Sequence, residues 1–157
     1  LEQRLRARSS PWTIALKVAQ VFGNALVVII TKSDVAATAA IDPGVYLSDH
    51  GHLVLGPRHI GAGTLIHERV TIGVRAGETG TPALGEGVWI GPDCVIYGNI
   101  TIGNGATVLP GTVLSMSVPA RAVIGGNPAT IVRKDFDNCE MRKDLSVNYD
   151  RSWFATQ

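Results

Sequence analysis

The chain has 157 residues, with 14 Lys and Arg against 13 Asp and Glu and a formal net charge of +1. That length fits one domain with modest additions, and the near balance of charge leaves no electrostatic footprint for nucleic acid. The two cysteines do not make a disulfide scaffold, and no Cys/His spacing of the metal-binding kind is present.

Residues 1–34 form a first segment. Trp12 to Ile30 is an apolar run about long enough to span a bilayer. Lys17, Gln20, Gly23 and Asn24 interrupt it, which a spanning helix disfavours. Ser10 followed by Pro11 reads as an N-cap and a first-turn proline. A helix from about Pro11 to Ile29 is expected, packed on the rest of the chain or on a neighbouring subunit, in preference to the alternative of a membrane span or surface anchor. No small-residue cleavage site follows the run, so the reading is of a cytoplasmic protein.

A six-residue beat occupies residues 35–132. It falls on Val35, Ile41, Leu47 and Leu53, slips by one, and resumes on Ile60, Ile66 and Ile72. After an interruption it returns on Leu84, Ile90, Ile96, Ile102, Val108 and Leu114. Glycine often follows the aliphatic, as at Gly61, Gly73, Gly85, Gly91 and Gly103. Four places after it sits a small or β-branched residue: Thr64, Val70, Ala76, Val88, Cys94, Ala106, Thr112 or Val118. A helix needs apolar residues every 3.6 positions and a strand needs alternation. A period of six fits instead a coil of short strands whose inward aliphatics stack from turn to turn and bury a core that no single repeat could bury alone. Three such faces close one coil, so a triangular section is expected. Cys94 then falls in the core. Residues 133–157 are polar apart from Trp153 and Phe154, and read as a tail that caps the last coil or docks on a neighbour.

Function is sought where the beat breaks, because insertions in a repeat project as loops. One break is Ser48-Asp49-His50-Gly51-His52. Another is the glycine-rich stretch Gly73 to Ala83, which lacks the aliphatic due at Glu78. Between them His67 stands where glycine usually follows the aliphatic. Neighbouring coils lie about one strand spacing apart, roughly 4.8 Å, so His50, His67 and the loop are expected on one edge of the prism. His59 reads as a solvated surface residue. Gly125-Gly126-Asn127-Pro128 reads as the turn that ends the coil.

The stretches IDPGVYLSDHGHLVLG, IHERVTIG, GVWIGPDCVIYGNITIGNGATVLPGTVL and VIGGNPATIVRK, in this order, resemble the hexapeptide-repeat acyltransferases, and within them the serine acetyltransferase branch. The resemblance implies an all-β left-handed parallel β-helix, here with an N-terminal α-helix and a short C-terminal tail. It implies a homotrimer that takes acetyl-CoA as acyl donor and transfers the acetyl group to a hydroxyl of a small acceptor, an amino acid, sugar or natural-product intermediate. Asp49 and His50 match the pair that supplies the catalytic base in that branch, with His52 as the alternative and His67 assisting. Gly73 is the candidate donor to the tetrahedral intermediate. Val74, Pro92 and Pro110 occupy the repeat places that line the pantetheine arm. Arg133 and Lys134 resemble the basic residues that meet CoA phosphates, and Arg121 is a weaker candidate of the same kind. The Arg-His pair that serine acetyltransferases carry in the loop is absent; the stretch here reads Thr79-Gly80-Thr81-Pro82. No metal is expected. The rival readings are N-acetyl transfer to an amine or amino sugar, a γ-carbonic anhydrase-like metal enzyme, and a non-catalytic β-helix scaffold.

Overall fold

A computed structural model describes residues 33–36, 38–48, 51–74, 76–77 and 79–147. The expected N-terminal helix, Asp49, His50, Glu78, Trp153 and Phe154 lie outside the described residues.

Among the described residues the six-residue beat resolves into fifteen short strands arranged on three faces. The first face carries β1 (Asp34–Val35), β4 (Val54–Leu55), β7 (Thr71–Gly73), β10 (Val95–Tyr97) and β13 (Val113–Leu114). The second carries β2 (Ala40–Ile41), β5 (His59–Ile60), β8 (Ala83–Leu84) and β11 (Thr101–Ile102). The third carries β3 (Tyr46–Leu47), β6 (Leu65–Ile66), β9 (Trp89–Ile90), β12 (Thr107–Val108), β14 (Val123–Gly125) and β15 (Thr130–Arg133). Every pairing is parallel except β14 with β15. The chain therefore visits the faces in turn and climbs one strand per circuit.

Register makes the aliphatic ladders explicit. Leu55, Ile72, Ile96 and Leu114 stack inside the first face, Ile60, Leu84 and Ile102 inside the second, and Ile66, Ile90, Val108 and Ile124 inside the third. All are at most 1% exposed. The small residues Thr64, Val70, Val88, Cys94, Ala106 and Thr112 are each fully buried beside them. Below the first coil nothing described continues the stack, and Val35 and Ile41 are 40% and 43% exposed.

The structure corrects the beat in four places. Leu55, not Leu53, pairs between Val35 and Ile72, because the Ser48–Leu53 corner is longer than its counterparts; Leu53 is buried at that corner. Ala76 sits exposed in the loop, since the chain has left the coil there. Val118 joins the ladder itself, bridging to Ile102, because the corner after Leu114 is short. The parallel stack ends at Ile124, not near Ile131. Beyond it the chain turns at Gly126–Ala129 and β15 runs back antiparallel, leaving Ile131 39% exposed.

As far as Val147 the tail runs back down the side of the coil. Phe136 N–H donates to the Arg121 carbonyl, the Asn138 amide donates to the carbonyls of Gly87 and Ala106, and Arg142 reaches the Gly63 carbonyl. Helix α1 (Cys139–Val147) follows, with Asp137 accepting from the Cys139 N–H at its start. This strap follows the second–third edge, while the outward side chains of the third face are covered and those of the first are open. Leu65, Trp89, Thr107 and Val123 are 4%, 9%, 1% and 7% exposed, whereas Val54 and Val95 on the first face are 47% and 37% exposed. Among the described residues no helix is long and apolar enough to cross a membrane.

Candidate active site

Each edge of the prism is a stack of corners. The edge between the third and first faces holds Ser48, Gly51 and His52, then His67 to Val70, then Gly91 to Cys94, then Leu109 to Thr112. The edge between the first and second faces holds the Val74–Pro82 loop. The sequence expectation that His67 and this loop share an edge is therefore corrected. From Val70 to Gly73 the chain crosses the first face along β7, roughly 10 Å at about 3.3 Å per residue. The repeat places alternate among edges as the coil turns, and sequence spacing alone does not show which edge an irregular corner reaches.

The third–first edge concentrates the polar chemistry. Its corners use left-handed residues, Arg69 at φ 55° and Asp93 at φ 61°, each one coil from the other. Side chains at such positions project from the corner, and the Arg69 guanidinium grips Asp93 through two hydrogen bonds, the one from Nη2 being 2.7 Å long. That contact holds the Asp93 carboxyl below its usual range and raises Arg69. Glu68 lies beside them, with Oε1 3.9 Å from Arg69 Nη1 and Oε2 3.5 Å from Ser48 Oγ.

His67 takes the place that Gly91 takes one coil on, and its N–H donates to the Ile90 carbonyl. Its ring meets Trp89 edge-on, with centroids 4.9 Å apart at 62°. Nδ1 faces Glu68 Oε2 at 3.8 Å. Nε2 is buried with no hydrogen-bond partner. Burial lowers the imidazole pKa, and the nearby Glu68 charge only partly opposes this. His67 is thus held as a neutral ring at neutral pH, with one nitrogen toward a carboxylate and the other unengaged.

The remaining candidates separate. His52 stands exposed at φ 60° on the same edge as His67. His59 sits on the second face, its Nε2 3.1 Å from Asp42 Oδ2, and so is paired and not simply solvated. Pro92 and Pro110 lie on successive coils of the third–first edge. The Pro92 carbonyl accepts from Gly111 N–H at 2.9 Å. Gly73 and the exposed Val74 lie on the first–second edge. Arg133 and Lys134 are exposed at the end of β15. Arg133 pairs with Val123 at the start of β14, across the third face from Pro110, and stacks its guanidinium 5.4 Å from the Phe136 ring. Arg121 is exposed on the neighbouring second–third edge. Cys94 is buried, with its thiol 3.2 Å from the Leu109 carbonyl and pushed up to about 11 by desolvation. Glu68 and Trp89 went unremarked in the sequence. Glu68 directly follows His67, and Trp89 precedes a ladder residue on the next coil, so spacing offered a signal for both. Among the described residues no group of three His, Cys, Asp or Glu could hold a metal ion.

Comparison with known proteins bears on this arrangement. The family described as "Bacterial transferase hexapeptide (six repeats)" matches residues 82–115. Serine acetyltransferase 2 of Arabidopsis thaliana is 41% identical over 104 residues, covering 64% of this chain and 32% of that protein. Serine acetyltransferase of Escherichia coli is 30% identical over 141 residues, covering 87% and 52%. A solved structure of serine acetyltransferase from Brucella abortus in complex with coenzyme A superposes with a TM-score of 0.69 at 26% identity, covering 78% of this chain and 50% of that one. The fold is the left-handed parallel β-helix of the hexapeptide-repeat acyltransferases, and within that family the likeness is to the serine acetyltransferase-like branch. The chain spans about a third to about half of the length of these curated relatives.

Proposed function

We propose that this protein is an acetyl-CoA-dependent O-acetyltransferase that uses a histidine base to acylate a hydroxyl of a small acceptor. The observation that carries the reading is the likeness of its coiled region to serine acetyltransferases, one of them solved with coenzyme A.

In this reading His50 takes the proton from the acceptor hydroxyl as its oxygen attacks the thioester carbonyl. Imidazole suits this because its ordinary pKa lies near working pH. Asp49 orients the ring and stabilises the imidazolium. The tetrahedral intermediate collapses with cleavage of the C–S bond, and the imidazolium returns the proton to the CoA thiolate. No acyl-enzyme forms. Cys94 is buried with a raised pKa, which is the opposite of an activated nucleophile.

The CoA candidates fall on different edges, with Gly73 and Val74 on one and Pro92 and Pro110 on another. A homotrimer reconciles them. If the first–second edge of one subunit faces the third–first edge of the next, a groove between subunits gathers both sets, and Gly73 can offer its backbone to the neighbour's intermediate. Arg133, Lys134 and Arg121 fall toward the second–third edge, outside that groove, so this packing gives the CoA phosphates to other groups. Release of free thiol from acetyl-CoA across a panel of hydroxyl acceptors tests the proposal. Turnover that depends on acceptor supports it. Stoichiometric bound zinc, or no turnover by a folded protein that also fails to bind CoA, sinks it.

A further inference from the structure

Two polar groups on the third–first edge are left short of partners by the rest of the fold. Glu68 has a side chain only 26% exposed, yet its nearest contacts are long: 3.5 Å to Ser48 Oγ, 3.8 Å to His67 Nδ1 and 3.9 Å to Arg69 Nη1. An ionised carboxylate can accept at about four sites, and good charge-assisted bonds are about 2.7–2.9 Å long. Among the described residues the cation beside it is Arg69, which gives two side-chain hydrogen bonds to Asp93. Beside Glu68, the Nε2 of His67 is buried with no partner at all. Native structures satisfy nearly all buried polar atoms, so the orphaned His67 Nε2 calls for an explanation, and the part-buried Glu68 beside it accepts only one long bond, from Ser48. These two sit side by side in the sequence, and Ser48, which touches Glu68, immediately precedes Asp49 and His50.

The two groups share a preference. A carboxylate accepts hydrogen bonds only, and a neutral imidazole nitrogen can accept one as well. Both favour a ligand group that donates, and the Glu68 charge disfavours an anion. On this edge the described charges are Glu68 and Asp93 against Arg69, with no free cation to hold a carboxylate.

We infer that the acceptor carries a hydrogen-bond donor, an ammonium or a second hydroxyl, next to the hydroxyl that is acylated, and that Glu68 and His67 receive it. The acceptor is accordingly an amino alcohol or polyol without a carboxylate at that position, and Glu68 is its specificity-determining residue. This inference rests on the acetyl-transfer reading above.

Serine and serinol separate the possibilities, because serinol replaces the carboxylate of serine with a hydroxymethyl group and keeps everything else. Thiol release from acetyl-CoA by the full chain should give kcat/KM for serinol at least about tenfold above that for serine. Glu68→Gln, which preserves shape and removes charge, should raise KM for serinol about tenfold with kcat little changed, and should narrow the gap to serine. A purely structural role for Glu68 would instead lower both acceptors alike and shift the melting temperature. A wild-type preference for serine overturns the inference while leaving acetyl transfer intact, as does a Glu68→Gln variant whose preference is unchanged. Absence of thiol release with either acceptor and with glycerol, from folded protein, overturns both the inference and the reading beneath it.

Discussion

The imidazole of His67 packs edge-on against the indole of Trp89, one coil above it, at 4.9 Å and 62°. The contact fixes the ring while leaving Nε2 without a hydrogen-bond partner. Desolvation, the larger cause, lowers the His67 pKa below 6.5, with Glu68 opposing. A histidine whose folded pKa lies below its unfolded value favours the folded state when neutral. Its stabilisation is therefore fully present above about pH 6.5 and lost as pH falls through the folded pKa. Thermal melts between pH 7.5 and 5 should show an acid-side loss that His67→Gln reduces. An NMR titration should place the His67 midpoint below the ordinary imidazole value of about 6.5; a midpoint above it would refute the desolvated setting.

Asn138 is 2% exposed and its side-chain amide binds two backbone carbonyls on adjacent coils. Asn138→Ala should cost about 1–3 kcal/mol in denaturant unfolding and should open the chain beyond Arg133 to limited proteolysis. Unchanged stability together with unchanged cleavage would mean that the strap is held by other contacts.

Glycine after the aliphatic has different meanings on different edges. A Cβ on Gly61 would meet the Gly85 backbone at 2.5 Å, whereas a Cβ on Gly73 would meet nothing within 4 Å. Gly61→Ala is expected to destabilise the protein by about 1–3 kcal/mol through forced separation of stacked corners, and Gly73→Ala to leave the melting temperature within about a degree or two. Equal effects would contradict the close stacking of the second–third edge.

The two cysteines should differ in reactivity. Cys94 is buried with its thiol pushed up to about 11, and Cys139 is exposed. At pH 8, iodoacetamide on native protein should label Cys139 alone, with Cys94 modified only after denaturation. Mass spectrometry of the digested protein reads this directly, and native labelling of Cys94 would show that the ladder opens.

Much of the fold was legible because a ladder repeats one requirement. An inward aliphatic at Ile90, Ile96 or Ile102 faces the same neighbours as the last, so a fixed period announces it. Legibility failed where corner lengths change. The long Ser48–Leu53 corner moved the inward role from Leu53 to Leu55, and the short corner after Leu114 moved Val118 onto the ladder. Which edge the Val74–Pro82 loop occupies follows from the count of faces, which the irregular corners obscure. The strap was illegible because Asn138 binds backbone carbonyls, and those leave no side-chain signature in the sequence. At the candidate site, His67 was visible as a departure from glycine. Its setting was not, since Trp89 and Glu68 read as an ordinary outward residue and an ordinary surface charge.

The central claim is histidine-base acetyl transfer from CoA, with His50 as the base. It is tested most directly by comparing wild type and His50→Ala for thiol release from acetyl-CoA with serinol, alongside CoA affinity by calorimetry. The account predicts a fall in kcat of about a hundredfold or more with CoA affinity essentially unchanged. Full turnover by His50→Ala, with the loss appearing instead in His52→Ala, would contradict it.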